Sequence, residues 1–192
     1  MLRNMNSRHS KVTDWGLSHL AIGRSSTVLD VGCGGGRTIA KLAALTDAKV
    51  FGVDYSAASI AVSSKFNRRL IESGRVEIRQ ASVSKLPFAN DTFDLITAVE
   101  AHFWWPNLSD DTREVFRVLN AGGRFLIIAE VYRGSMVRNA RLVEKHLPKA
   151  GLKLMTIDEH RALLQEVGFR EIEIDAVSER GWICCNSVKP GK

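Results

Sequence analysis

Cysteine is scarce in this chain: three residues in 192, Cys33, Cys184 and Cys185. They show no metal-ligand spacing and no disulfide framework, which excludes zinc-ribbon and stapled secreted scaffolds. Cys184 and Cys185 fall in a strand-like run whose alternate side chains point to opposite faces, so they read as two small strand residues rather than a redox pair. Long apolar stretches are missing as well. The longest, residues 125–129, is far too short to cross a bilayer. Met1-Leu2-Arg3-Asn4-Met5-Asn6 leads into polar residues with no apolar signal region, so the expectation is a cytoplasmic protein in reducing surroundings, without membrane insertion. Repeats, low-complexity tracts and linkers are absent, and the length suits one domain with a single substantial core. The net charge of +6 comes from scattered basic residues, which argues for a soluble basic surface rather than a nucleic-acid face.

What is present is a glycine cluster in an informative place. Val28-Leu29-Asp30-Val31-Gly32-Cys33-Gly34-Gly35-Gly36-Arg37-Thr38 runs from a β-branched stretch through the glycines into a helical pattern. Such a strand–turn–helix presents free N–H groups and a helix dipole to a negative ligand group. The dinucleotide pattern G-x-G-x-x-G, begun at Gly32 and Gly34, would need glycine at position 37, where arginine stands. Asp30 would repel a pyrophosphate. It suits a ligand shaped like an amino acid, with its carboxylate at the helix end and its ammonium toward Asp30.

Strand-like and helix-like segments alternate from residue 27 onward, the signature of an α/β parallel sheet. The pattern predicts strands over 27–31, 49–54, 76–80, 93–99 and 124–130, and helices over 37–45, 57–71 and 110–118. Residues 119–123 form a turn before the fifth strand. Residues 136–147 carry apolar side chains at helical spacing. Thr156 and Glu159 form a capping box for a helix through Val167, ended by Gly168. Two final strands, 171–176 and 182–187, make a hairpin, so an antiparallel pair finishes the sheet. An amphipathic helix over 12–22 precedes the fold; it either closes over a ligand as a lid or simply packs on the sheet.

Four motifs now stand in order. Asp30, Gly32, Gly34 and Gly36 match D-x-G-x-G-x-G, and Gly52-Val53-Asp54-Tyr55-Ser56 matches G-x-D-x-S. Leu86-Pro87-Phe88 with Asp91, Phe93 and Asp94 matches L-P-F…D-x-F-D, and Arg117 to Gly123 resembles R-V-L-K-P-G-G. In these residues the chain resembles the class I S-adenosylmethionine-dependent methyltransferases of the small-molecule, type 11-like kind. The resemblance covers residues 27 to 188. A narrower bacterial and archaeal subgroup is resembled in Met5-Asn6, His9, Thr13 to Leu17 and Phe103-Trp104-Trp105-Pro106. The resemblance implies a Rossmann-like, doubly wound seven-stranded sheet, mostly parallel with an antiparallel last strand. Residues 1–26 would form an N-terminal helical segment and 27–192 the methyltransferase domain. It implies S-adenosylmethionine as cofactor, bound by Asp30, Gly32, Cys33, Gly34, Gly36, Asp54, Tyr55, Ser82, Val83 and Val99. Family members often carry an acid where Ser82 stands, so the polar contact to adenine is weakened or rearranged here.

Methyl transfer from a sulfonium is an in-line displacement, so the protein chiefly has to align donor methyl and acceptor at about 3–3.5 Å. A general base is added when the acceptor must lose a proton. Candidates follow the fourth strand, at the carboxyl edge where doubly wound folds bind ligands. His102 or Glu100 would accept the proton. Trp104 and Trp105, with His9 and Trp15 of the N-terminal helix, would line the substrate; the other reading is that the tryptophans pack neighbouring helices. His19, His146 and His160 fall on helix faces that read as solvated. No D/N-P-P-aromatic motif and no Pro-Cys nucleophile appear, which argues against base methylation. Arg133, Arg138, Arg141, Lys145 and Lys149 form either an anion-favouring stretch or a solvated helix face. The expected partner is a small-molecule or lipid-like acceptor, with the protein a monomer or homodimer. Two other readings stay open: a non-catalytic S-adenosylmethionine-binding protein, and an NAD-dependent oxidoreductase in which Asp54 holds a ribose.

Overall fold

The computed structural model describes residues 9–136 and 152–191. In chain order the elements are α1 (Ser10–Leu17), β1 (Val28–Val31), α2 (Arg37–Leu45), β2 (Val50–Asp54), α3 (Ala57–Phe66), α4 (Arg68–Glu72) and β3 (Val76–Gln80). They continue as β4 (Phe93–Val99), α5 (Leu108–Val118), β5 (Leu119–Ala129), α6 (Ile157–Val167), β6 (Arg170–Val177) and β7 (Trp182–Val188). The strands form one sheet in the order β3-β2-β1-β4-β5-β7-β6. Strands β1 to β5 pair in parallel, and β7 runs antiparallel to both β5 and β6. The Rossmann-like seven-stranded sheet is therefore as expected, with the antiparallel strand inserted between its neighbours.

Both faces of the sheet are buried, as parallel sheets require. Phe125, Ile127 and Ala129 of β5 join Leu29, Val31 and Ile96 in one cluster, which packs against Val115 of α5 and Leu164 of α6. The intervening Leu126 and Ile128 join Val28 and Leu95 on the other face, against Ile39 and Leu42 of α2 and Val12 and Leu17 of α1. Period-two alternation thus feeds two half-cores from the same strands.

Three boundaries differ from expectation by more than two residues, each for a local reason. The helix expected over 57–71 breaks at Asn67, because that buried amide is drawn into hydrogen bonds with the Gly36 and Ser63 carbonyls at 2.9 and 3.1 Å. Strand β5 begins at Leu119, and the expected glycine turn survives within it as an irregularity between the pairs Phe93↔Leu119 and Leu95↔Arg124. Helix α1 ends at Leu17, where Ser18 caps it and its hydroxyl donates to the Trp15 carbonyl at 2.7 Å. The helical spacing noted over 136–147 and the basic residues Arg138, Arg141, Lys145 and Lys149 lie outside the described residues, apart from Met136.

Candidate functional site

The sheet order reverses between β1 and β4, and ligands of doubly wound folds bind at that crevice, at the carboxyl ends of the strands. A cavity of about 100 Å³ lies there, lined by His9, Thr13, Gly32 to Gly35, Arg37, Thr38, Val99 and Glu100. Two glycines of the loop beside it are fixed by close contacts. Gly32 has φ 78°, and a Cβ there would lie 2.5 Å from the Ala101 Cβ. Gly36 caps α2 with φ 80°, and its Cβ would meet Ser63 Oγ at 2.3 Å and Asn67 Nδ2 at 2.4 Å. The loop is held from behind. The Gly34 N–H donates to Asp54 Oδ2 at 2.9 Å, and the Ser56 N–H donates to Asp54 Oδ1 at 2.9 Å.

Asp30 sits one layer behind the cavity. It is 1% exposed and accepts a 2.7 Å hydrogen bond from Thr97 Oγ1. Burial pushes its carboxyl up to about 7, opposed by the Thr97 bond and aided by nearby Asp54. Cys33 lines the cavity, and burial holds its thiol far above the ordinary range, so it is a packing residue rather than a nucleophile. Tyr55, exposed, follows β2, while Ser82 and Val83 follow β3. The Ser82 hydroxyl accepts from the Ser84 N–H at 3.2 Å, and Val83 is buried.

The acceptor candidates separate sharply. Glu100 lines the cavity in a left-handed conformation, φ 55°. Its carboxylate accepts the N–H of Glu130, which follows β5 as Glu100 follows β4. His9 Nδ1 lies 3.0 Å from Glu130 Oε2 and 3.9 Å from Glu100 Oε2. His102 is elsewhere, correcting its assignment as base. It is 2% exposed, and its Nε2 lies 3.1 Å from Nε2 of His160, which is also buried rather than solvated. His160 Nδ1 faces the Thr156 carbonyl at 2.7 Å and must carry the proton there, so His160 Nε2 accepts from His102 Nε2–H. This leaves His102 Nδ1 as a buried lone pair without a partner among the described residues. Burial lowers both histidines from the ordinary range, His102 the further.

The aromatic readings are corrected in part. Trp105 is core, stacked on Phe125 at 6.3 Å. Trp15 packs at 5.6 Å on Trp182 of β7 and against His19, away from the cavity lining. Trp104 is exposed. Sequence reasoning missed Thr13, Thr38, Asn67 and Glu130, and treated Arg37 only as a missing glycine. Arg37 lines the cavity, and its buried Nε has no partner among the described residues. Two carboxylates closing adjacent strands, Glu100 and Glu130, were a readable signal.

Comparison with known proteins identifies the family. Residues 29–127, just over half of the chain, match the family model described as a methyltransferase domain. The chain is 33% identical over 172 residues to the methyltransferase GfsG of Streptomyces halstedii, covering 88% of this chain and 62% of that protein. It is 31% identical over 146 residues to an O-methyltransferase of Pyrenophora dematioidea, covering 76% of this chain and 55% of that one. The chain thus spans a little over half the length of these curated relatives. A SAM-dependent methyltransferase of Aquifex aeolicus superposes with a TM-score of 0.80 at 16% identity, covering 98% of this chain and 96% of that one. Geranyl diphosphate C-methyltransferase of Streptomyces coelicolor superposes with a TM-score of 0.76 at 17% identity, covering 94% and 76%. At such identities the superpositions speak for the fold, and the family model carries membership: the chain belongs to the class I S-adenosylmethionine-dependent methyltransferases.

Proposed function

We propose that this protein transfers a methyl group from S-adenosylmethionine to a small-molecule acceptor. The observation that carries the reading is the polar inventory of the crevice: a guanidinium with a buried unpartnered Nε, a glycine loop at a helix N-terminus, and a buried carboxyl behind it. That set suits a zwitterionic amino-acid group, with Arg37 and the first N–H groups of α2 taking the carboxylate and Asp30 favouring the ammonium. About 100 Å³ is less than the whole nucleotide needs, since pockets for whole ligands run from about 300 Å³ upward. The nucleoside would lie along the carboxyl ends of β2 and β3. There Asp54 keeps lone pairs beyond the two that accept Gly34 and Ser56 N–H, and these suit ribose hydroxyls. Tyr55, Ser82 and Val83 flank the adenine position.

When bound, S-adenosylmethionine supplies an electrophilic methyl on a cationic sulfur. The protein's part is to orient donor and acceptor across the tips of β1, β4 and β5 and to keep water from the line between them. Helix α1 supports this as a cover, since His9 and Thr13 complete the cavity wall. The relative named as an O-methyltransferase and the neighbour named as a geranyl diphosphate C-methyltransferase support a small organic acceptor.

Calorimetric titration with S-adenosylmethionine, S-adenosylhomocysteine and NAD tests the cofactor, with tight binding of the first two expected. S-adenosylhomocysteine formation over a panel of phenols, amines and thiols tests turnover. Tight NAD binding with no response to the sulfonium nucleotide would overturn the reading.

A further inference from the structure

His9 brings to the cavity a ring whose protonation pattern is set by its neighbours. It caps α1, and Glu130 Oε2 lies 3.0 Å from its Nδ1. Glu130 is itself held, because its backbone N–H donates to Glu100 Oε1 while the Glu100 N–H donates to the Ile128 carbonyl at 2.9 Å. Glu100 adopts φ 55°, a left-handed conformation that side-chain-bearing residues take at a cost. Its carboxylate is thereby placed across the adjacent tips of β4 and β5. A carboxylate only accepts, so His9 Nδ1 carries the proton, and the lone pair of the neutral ring sits on Nε2. His9, Glu100 and the glycine loop line one cavity.

We infer that His9 is the general base for a neutral hydroxyl acceptor, an alcohol or phenol, with Glu130 as its positioning residue; this rests on the methyl-transfer reading. The acceptor oxygen forms the new bond to the methyl carbon, and the methyl–sulfur bond breaks with its electron pair remaining on sulfur. The acceptor proton passes to His9 Nε2 and later to solvent. The ring then carries a positive charge, which Glu130 and Glu100 offset. The other charged side chain lining the cavity among the described residues is Arg37 of α2, and on α1 itself Asp14 is engaged by Lys41. The positive charge that the step creates on the ring thus faces two carboxylates. A hydroxyl acceptor needs this base because its proton must leave. An amine with a free lone pair or a preformed thiolate attacks without one.

His9→Asn is the decisive variant, because the amide nitrogen reproduces Nδ1 and keeps the bond to Glu130 while removing the base. With 4-methylphenol and catechol as probes, kcat/KM should fall about 10²-fold or more, and the acid limb of the pH profile should disappear. With 4-nitrothiophenol, already a thiolate at neutral pH, the fall in kcat/KM should be at least about tenfold smaller than with the phenols. Glu130→Gln should shift that limb rather than abolish it. Nitrogen-15 NMR of the imidazoles in the S-adenosylhomocysteine complex, with the His9 signal assigned by its loss in His9→Asn, should show a proton on Nδ1. The inference is overturned if His9→Asn keeps phenol turnover, if the wild type methylates only amines or thiols, if no probe is methylated although the cofactor binds, or if NMR puts the proton on Nε2. Failure to bind S-adenosylmethionine at all would instead bring down the underlying methyl-transfer reading.

Discussion

The two walls of the cavity are built differently. The donor wall is the glycine loop between β1 and α2, backed by Asp54, Ser63 and Asn67, whose partners are fixed by short hydrogen bonds and close contacts. The wall proposed to meet the acceptor is assembled from the cap of α1 and the ends of β4 and β5, with His9 and Glu130 separated by 121 residues. A turn that needs φ > 0 writes its requirement into the local sequence, whereas a wall made by three distant elements does not. The same contrast separates two histidines. His102 stands in the more suggestive sequence, yet a desolvated ring hydrogen-bonded to another ring is structural. His9, expected among the substrate-lining residues rather than as a base, faces the cavity.

The largest effect should come from the donor wall. Gly36→Ala combines a positive φ with a clash on Ser63 and Asn67, so urea unfolding should show a loss of about 2–4 kcal/mol, together with loss of S-adenosylmethionine binding. An unchanged midpoint would mean that the loop is as adaptable as the other wall.

His160→Leu should cost about 1–3 kcal/mol by leaving His102 Nε2–H unpaired, while cofactor affinity stays the same. Both rings stay neutral in the fold, whereas the unfolded chain binds protons below the ordinary value of 6.5. The unfolded state therefore binds more protons there, and stability falls as pH drops below that value. The variant should flatten this slope. A cofactor-affinity loss matching that of Gly36→Ala would put the histidine pair back in the site.

Asp30 should report on the ligand's charge. Folded Asp30 holds its proton up to about 7, against 3.8 in the ordinary state, so apo stability declines as pH rises through that window. A bound cation lowers the carboxyl, so binding just below pH 7 should release up to one proton. Calorimetry in buffers of different ionisation enthalpy measures this, and Asp30→Asn should abolish it. The smallest effect belongs to Ser82→Asp. It preserves the cap on Ser84 and adds an acceptor for the adenine amino group, so affinity should tighten by no more than about tenfold, or about 1.4 kcal/mol.

Much of this was legible. The strands over 76–80 and 93–99 carry their boundaries in their composition, and the Thr156–Glu159 capping box formed as read. The break at Asn67 was hidden, because an amide that leaves its helix to serve a loop 31 residues away has no local signature. Trp105 and Trp15 misled for a related reason: aromatic side chains suit a ligand wall and a core equally, and only packing against Phe125 and Trp182 decides between them.

By itself the amino-acid order determined the α/β architecture, the strand that ends in Asp30 and the glycine loop, since periodicity and left-handed backbone positions are properties of neighbouring residues. Tertiary structure alone decided which histidine meets a carboxylate and which meets another histidine across 58 residues. Those pairings depend on strand order and on which helix covers which face, and a side chain's chemistry follows from the dielectric and the partners it meets there.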